Sequence, residues 1–198
     1  MKFQKYMAVG ILGLTMALGF SGCQSENQKN QNAYRKIGIN SMAEGDYDKA
    51  VKSFQKALDT SLGKIGAEEI DICYYKAAAQ FAKKDYDGAI ETYTSLIDYD
   101  KENANAYYLR GSVYLDTDKK DKAFKDYKNA VKYAGREYEI YEGIYENLTN
   151  KGETEKAKNY LKKALDIKPK DGADYAEQGH VYYLLEDYTQ AKSSLDRA

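Results

Sequence analysis

The sequence predicts an all-helical chain made of stacked helix–turn–helix units, and three observations carry that expectation. Alanines recur at Ala50, Ala89, Ala123, Ala157 and Ala191, the last four at one constant interval. Four residues after each stands a large apolar side chain (Phe54, Tyr93, Tyr127, Leu161, Leu195). Seven after stands Ala57, Leu96, Ala130, Ala164 or Ala198, so one helix face is marked every time. Composition agrees: 21 Tyr, no Trp and one Pro suit helices that use tyrosine as their large packing residue.

The clearest unit is Ala104 to Val131. Tyr107, Gly111 and Tyr114 recur at helical spacing, a polar break follows at Asp116 to Lys119, and Ala123, Tyr127, Ala130 and Val131 recur again. The break has the length of a turn between antiparallel helices. This pattern resembles the tetratricopeptide repeat, a helix–turn–helix unit whose period of about 34 residues equals the constant alanine interval. The resemblance covers about Gln31 to Ala198 and implies a right-handed solenoid of five repeats, the last incomplete.

Residues 1–22 stand apart. Lys2 and Lys5 form a basic start, and Met7 to Phe20 form an apolar run too short to span a bilayer, as in a signal peptide. The following Phe20-Ser21-Gly22-Cys23 resembles a bacterial lipobox, with Phe20 where that pattern most often has Leu. The resemblance implies cleavage before Cys23 and its lipidation. Two acyl chains on one cysteine give stable anchoring where one is marginal. Residues 23–31 are polar and aperiodic and read as a flexible tether.

The array is expected over 32–198, with repeats at about 31–61, 70–103, 104–137, 138–171 and 172–198. In the first, helices are expected near Asn32–Ala43 and Tyr47–Thr60, with Asp46 capping the second. The first alanine interval is longer than the others by five, and the excess falls in a longer loop, Leu62 to Glu69. Pro169 follows the second helix of the fourth repeat, where proline stops a helix at little cost. Helices of about 12 to 14 residues are marginal alone and become stable by stacking. Gly38, Ala77, Gly111 and Gly179 let them approach closely.

No residues assemble into chemistry, so no catalytic, cofactor or metal site is expected. Cys73 takes a packing position equivalent to Tyr107 and Tyr141, and His180 is the single histidine, which excludes a histidine metal pair. Asp116, Asp118 and Asp121 imitate a calcium loop, but Asp121 stands where glycine is needed and Tyr127 where the bidentate Glu is needed. No glycine-rich nucleotide motif is visible. The balance of 30 basic against 31 acidic residues suggests no nucleic-acid partner.

In the tetratricopeptide family the first helices line a groove for a protein or peptide. Placing Tyr107, Gly111 and Tyr114 on the packing side puts Asn105, Tyr108, Ser112 and Leu115 in that groove. The same frame adds Arg35, Ile39 and Met42, then Tyr74, Ala78 and Phe81, then Glu139, Glu142 and Glu146, then Ala176, His180 and Tyr183. Partner-binding residues are therefore expected at Tyr74, Phe81, Tyr108, Leu115, Glu142, Glu146, His180 and Tyr183. The family's carboxylate clamp is disfavoured, because Ile39 and Tyr75 replace its Asn and Asn105 and Leu109 its basic residues. The implied function is an extracytoplasmic interaction module, an adaptor or assembly factor lipid-anchored to the bacterial cell membrane, or to an outer membrane where one exists. The alternatives are a structural subunit that self-associates through its C-terminal repeat, and a non-catalytic regulator of an envelope hydrolase.

Overall fold

The computed structural model describes residues 26–61, 63 and 65–198. The segment read as a signal peptide and lipobox, with Cys23, lies outside the described residues. Among those described, ten α-helices follow in hairpin pairs: α1 (Glu26–Ala43) with α2 (Tyr47–Asp59), α3 (Ala67–Ala82) with α4 (Tyr86–Tyr99), α5 (Ala104–Asp116) with α6 (Lys120–Tyr133), α7 (Tyr138–Asn150) with α8 (Thr154–Lys162), and α9 (Gly172–Leu184) with α10 (Tyr188–Leu195). The last turn of α8 tightens into a 3-10 helix, Lys163–Asp166, with Ala164 buried. The expectation of an all-helical chain of helix hairpins holds.

All five hairpins turn by one device. At the end of each first helix a residue adopts the left-handed conformation: Gly45 (φ 78°), Lys84 (67°), Asp118 (56°), Gly152 (77°) and Glu186 (67°). The N–H of the next residue reaches back five positions, as from Asp46 to the Ser41 carbonyl at 2.9 Å and from Lys119 to the Tyr114 carbonyl at 2.8 Å. This double closure satisfies the carbonyls that a helix end leaves open. The residue that ends the turn then caps the next helix. Asp46, Asp85 and Asp187 each accept from a backbone N–H three residues on, at 3.0–3.1 Å. Lys119 and Glu153 make no side-chain cap.

The described residues divide into two compact units, one up to residue 101 and one over 102–198. In the first, Ala50, Phe54, Ala57, Ile72 and Ala79 form the core, with Tyr34, Ile39, Met42, Val51, Leu58 and Tyr75 packed against it. The Phe54 ring lies so close to Gly38 that a Cβ there would overlap it. Its other face stacks on Tyr75 at 5.6 Å between centroids.

Two expectations about this unit need correction. The stretch read as a flexible tether is helical from Glu26 onward. Gln31 is buried and its amide donates to Glu69 at 2.7 Å, while Arg35 bridges to Asp71 at 2.7 Å beneath the Tyr75 ring. Extending a helix already pinned in this way is far cheaper than nucleating one, and no Gly or Pro intervenes. The longer loop is also shorter than read, because α3 starts at Ala67. Glu69, placed in that loop by the sequence, accepts from the Gly66 N–H at 2.8 Å and so closes the start of α3.

In the second unit Tyr127 is fully buried and packs on Gly111. Asn147 of α7 donates to Ser112 of α5 at 2.8 Å, and both side chains reach the Tyr127 hydroxyl at 3.4 Å. Tyr145 donates to the Leu184 carbonyl at 3.3 Å, tying α7 to α9. Arg110 grips Asp126 through two hydrogen bonds of 2.7 and 2.8 Å.

Candidate protein-interaction surface

The residues expected to line the groove divide sharply by burial. Tyr108 and Leu115 are core residues, 7% and 2% exposed, and are not available to a partner. The Tyr108 ring runs alongside Tyr127 and reaches over Gly143, whose missing side chain provides the room. Ile39 and Met42 likewise pack into the first unit's core, and Ala78 is buried. The cause is common to all: a first helix inside a stack is covered by its hairpin partner on one side and by a neighbouring first helix on another. Both of its stripes are then apolar, and the stripe assigned to the groove is in part an inter-hairpin seam.

Tyr74 and Phe81 are half-buried and engaged with rings of their own hairpin, Tyr93 at 6.3 Å and Tyr86 at 5.6 Å. Tyr183 is 58% exposed and meets Tyr188 edge-on at 5.7 Å.

The polar candidates fare differently. Glu142 and Glu146 lie one turn apart on α7, both half-buried, and His180 projects from α9. The His180 Nδ1 sits 2.8 Å from the Glu142 carboxylate. Burial pushes the Glu142 carboxyl above its ordinary range; His180 draws it back, and Glu177 and Glu139 push it further up. Carboxyl groups thus gather around one imidazole, an arrangement that favours a cationic neighbour. On α3, burial pushes the Cys73 thiol up, away from thiolate reactivity. Among the described residues no cluster of His, Cys, Asp and Glu is arranged to hold a metal ion. No helix among them is long and apolar enough to cross a membrane.

Sequence reasoning missed the Arg110–Asp126 pair and the ladder around it. The Arg110 guanidinium lies 5.7 Å from the Tyr107 ring centre and 5.9 Å from that of Tyr114. Lys122 covers Tyr114, while Tyr107 stacks on Tyr133 beneath Lys132. A signal was present: Arg110 and Asp126 have the same separation along the chain as Gly111 and Tyr127, which the hairpin also brings together.

Helix hairpins closed by one repeated turn, three of them with a large side chain seated on a glycine of the preceding helix, define a helical-repeat protein. The chain carries tetratricopeptide repeats. One model of the tetratricopeptide repeat matches residues 35–93, a second matches 104–136 and 146–171, and a model of the TPR repeat matches 77–118. Such repeats are protein–protein interaction modules and are generally non-catalytic. No curated protein matches the chain. Among solved structures, a crystal structure of MamA protein is 21% identical over 85% of this chain and 90% of its own, with a TM-score of 0.54. TTC0263, a thermophilic TPR protein of Thermus thermophilus, is 18% identical over 85% and 91%, TM-score 0.55. PilF of Pseudomonas aeruginosa is 17% identical over 86% and 75%, TM-score 0.54. These are likenesses of fold.

Proposed function

We propose that this chain is an adaptor or assembly factor displayed outside a bacterial membrane by a lipid on Cys23, and that α7 and α9 capture a basic segment of its partner. The observation that carries the binding half is the Glu142–Glu146–His180 strip on hairpins of an interaction fold. The anchoring half is supported by the sequence alone: basic start, apolar run, then Gly22-Cys23. Only Gln24 and Ser25 separate Cys23 from the start of α1, a reach of at most about 10 Å. The array therefore works close to the membrane, and its partner belongs to that surface.

Two measurements test the halves separately. Wild-type protein incorporates labelled fatty acid and loses residues 1–22, and Cys23→Ala does neither; unlabelled wild type sinks the anchor. Replacing Glu142 and Glu146 together by Gln lowers the association rate with the partner crosslinked in membranes and flattens its salt dependence. Unchanged rate and salt dependence in that variant exclude the strip as the site.

A further inference from the structure

The near balance of charge along the chain hides a segregation between first and second helices in the second unit. α6 and α8, taken with the 3-10 turn that ends α8, carry nine lysines against four carboxylates. α7 and α9 carry five carboxylates and no Lys or Arg. Of the four acids on the lysine-rich side, Asp126 is buried in the grip of Arg110, which leaves Asp121, Glu155 and Asp166 exposed.

Spacing decides where the lysines point. Lys125, Lys128 and Lys132 recur along one stripe of α6, opposite the buried Ala123, Tyr127 and Ala130, and all three are exposed. On α8 the exposed Asn159 and Lys162 stand opposite the buried Ala157 and Leu161. The two helices lie side by side: Tyr160 donates to the Phe124 carbonyl at 3.4 Å, and Lys120 bridges to Glu153 at 2.8 Å. Half-buried rings sit beneath other lysines of this layer. Lys156 lies 4.3 Å from the Phe124 ring centre, Lys132 4.5 Å from that of Tyr133, and Lys163 5.6 Å from that of Tyr160. Lys125, Lys128 and Lys162 have no carboxylate at salt-bridge distance among the described residues, so their charge is open to a partner.

We propose that this lysine face rests on the anionic headgroups of the bilayer to which the chain is anchored, leaving the acidic strip of α7 and α9 to its protein partner. A lipid surface fits the face better than a nucleic acid or an acidic protein does. The two helices hold lysine and no arginine, compact charges suited to a diffuse headgroup layer rather than to forked recognition of one phosphate or carboxylate. Rings with lysine stems across them present an apolar body and a charged tip, as interfacial helices do. Covered in this way, the rings are closed to stacking by bases.

The inference rests on the reading that the array works at a membrane, and its test reads local contact rather than attachment. The full chain, carrying a photo-crosslinking side chain in place of Asn159, is placed in protein-free vesicles of phosphatidylcholine with or without phosphatidylglycerol. Vesicle-bound protein is collected by flotation and scored for lipid adducts. Adducts should be at least about tenfold more abundant in the anionic vesicles. They should fall to the neutral-vesicle level when Lys125, Lys128 and Lys162 are all replaced by Gln with helix content unchanged, and persist when Arg replaces them. Raised salt should remove them from the chain with its lysines intact, since it screens surface charge. A probe in place of Glu139 on α7 should give none. Equal adducts in neutral vesicles, indifference to the Gln variant or to salt, or an equal yield from position 139 would each overturn the lipid-facing assignment. So would a protein adduct in native membranes with no lipid adduct in vesicles, which would give the face to an acidic protein. Fatty-acid labelling reports the anchor by itself, so a failed lysine face is told apart from a failed anchor.

Discussion

Gly143 decides what Tyr108 is for. With no side chain at 143, the phenol crosses from α5 over α7 and closes the gap between two hairpins. Tyr108→Ala is therefore a core deletion, expected to cost about 3 kcal/mol of stability. A urea titration followed by helix content measures it; a variant as stable as wild type would return Tyr108 to the surface. The same pair of residues shows where the sequence stops being legible. Helical spacing puts Tyr107 and Tyr108 on neighbouring stripes, and both stripes are apolar because a stacked helix has two buried sides. Periodicity cannot say which stripe meets solvent. The glycine one repeat downstream could have, since a large residue facing a small one across hairpins marks a seam. Charged positions were easier: Glu142, Glu146 and His180 remain at the surface to differing degrees, because burying an unpaired charge is costly whatever the frame.

At the scale of the element, the turn is the repeated invention of this chain. Its left-handed residue is glycine in the first and fourth hairpins but Lys84, Asp118 and Glu186 in the others. An L-residue is strained there, because its Cβ crowds the following carbonyl, and glycine is not. Lys84→Gly and Asp118→Gly should each stabilise the protein by about 0.5–1 kcal/mol, the relief of strain exceeding glycine's greater freedom in the unfolded chain. Thermal midpoints of the single and double variants decide it, and a fall in either would mean that the replaced side chain stabilises the turn more than its strain costs. The helix hairpins were readable because turn, cap and alanine recur in fixed register. The helical start of α1 was not, because Gln28 to Gln31 carry no apolar stripe. What holds that segment is Gln31 and Arg35 reaching across to Glu69 and Asp71 on α3, contacts too distant along the chain for any local pattern to reveal.

Across the whole molecule, tyrosine takes the place that tryptophan and phenylalanine fill elsewhere, and that choice has a thermodynamic consequence at high pH. Burial pushes up the phenols of Tyr75 in the first unit and of Tyr127, Tyr138, Tyr141 and Tyr160 in the second. Tyr127 is the extreme case, fully enclosed between hairpins three and four. A phenol whose folded value is raised holds its proton more tightly in the folded state than in the unfolded chain. Its stabilising share is complete below about pH 10, the ordinary phenol value, and is lost as pH rises toward the folded value. Tyr127, the most enclosed, removes up to about 1.4 kcal/mol of stability per pH unit in that window, and the partly exposed phenols remove less. Helix content should therefore fall together with the last part of the tyrosinate absorbance, that of the buried phenols, above about pH 10. Tyr127→Phe keeps the ring against Gly111 and gives up only two hydrogen bonds of 3.4 Å. That variant should be within about 1 kcal/mol of wild type at neutral pH and should unfold at higher pH. Identical alkaline midpoints for the two proteins would show that another group, not the buried phenol, sets the limit.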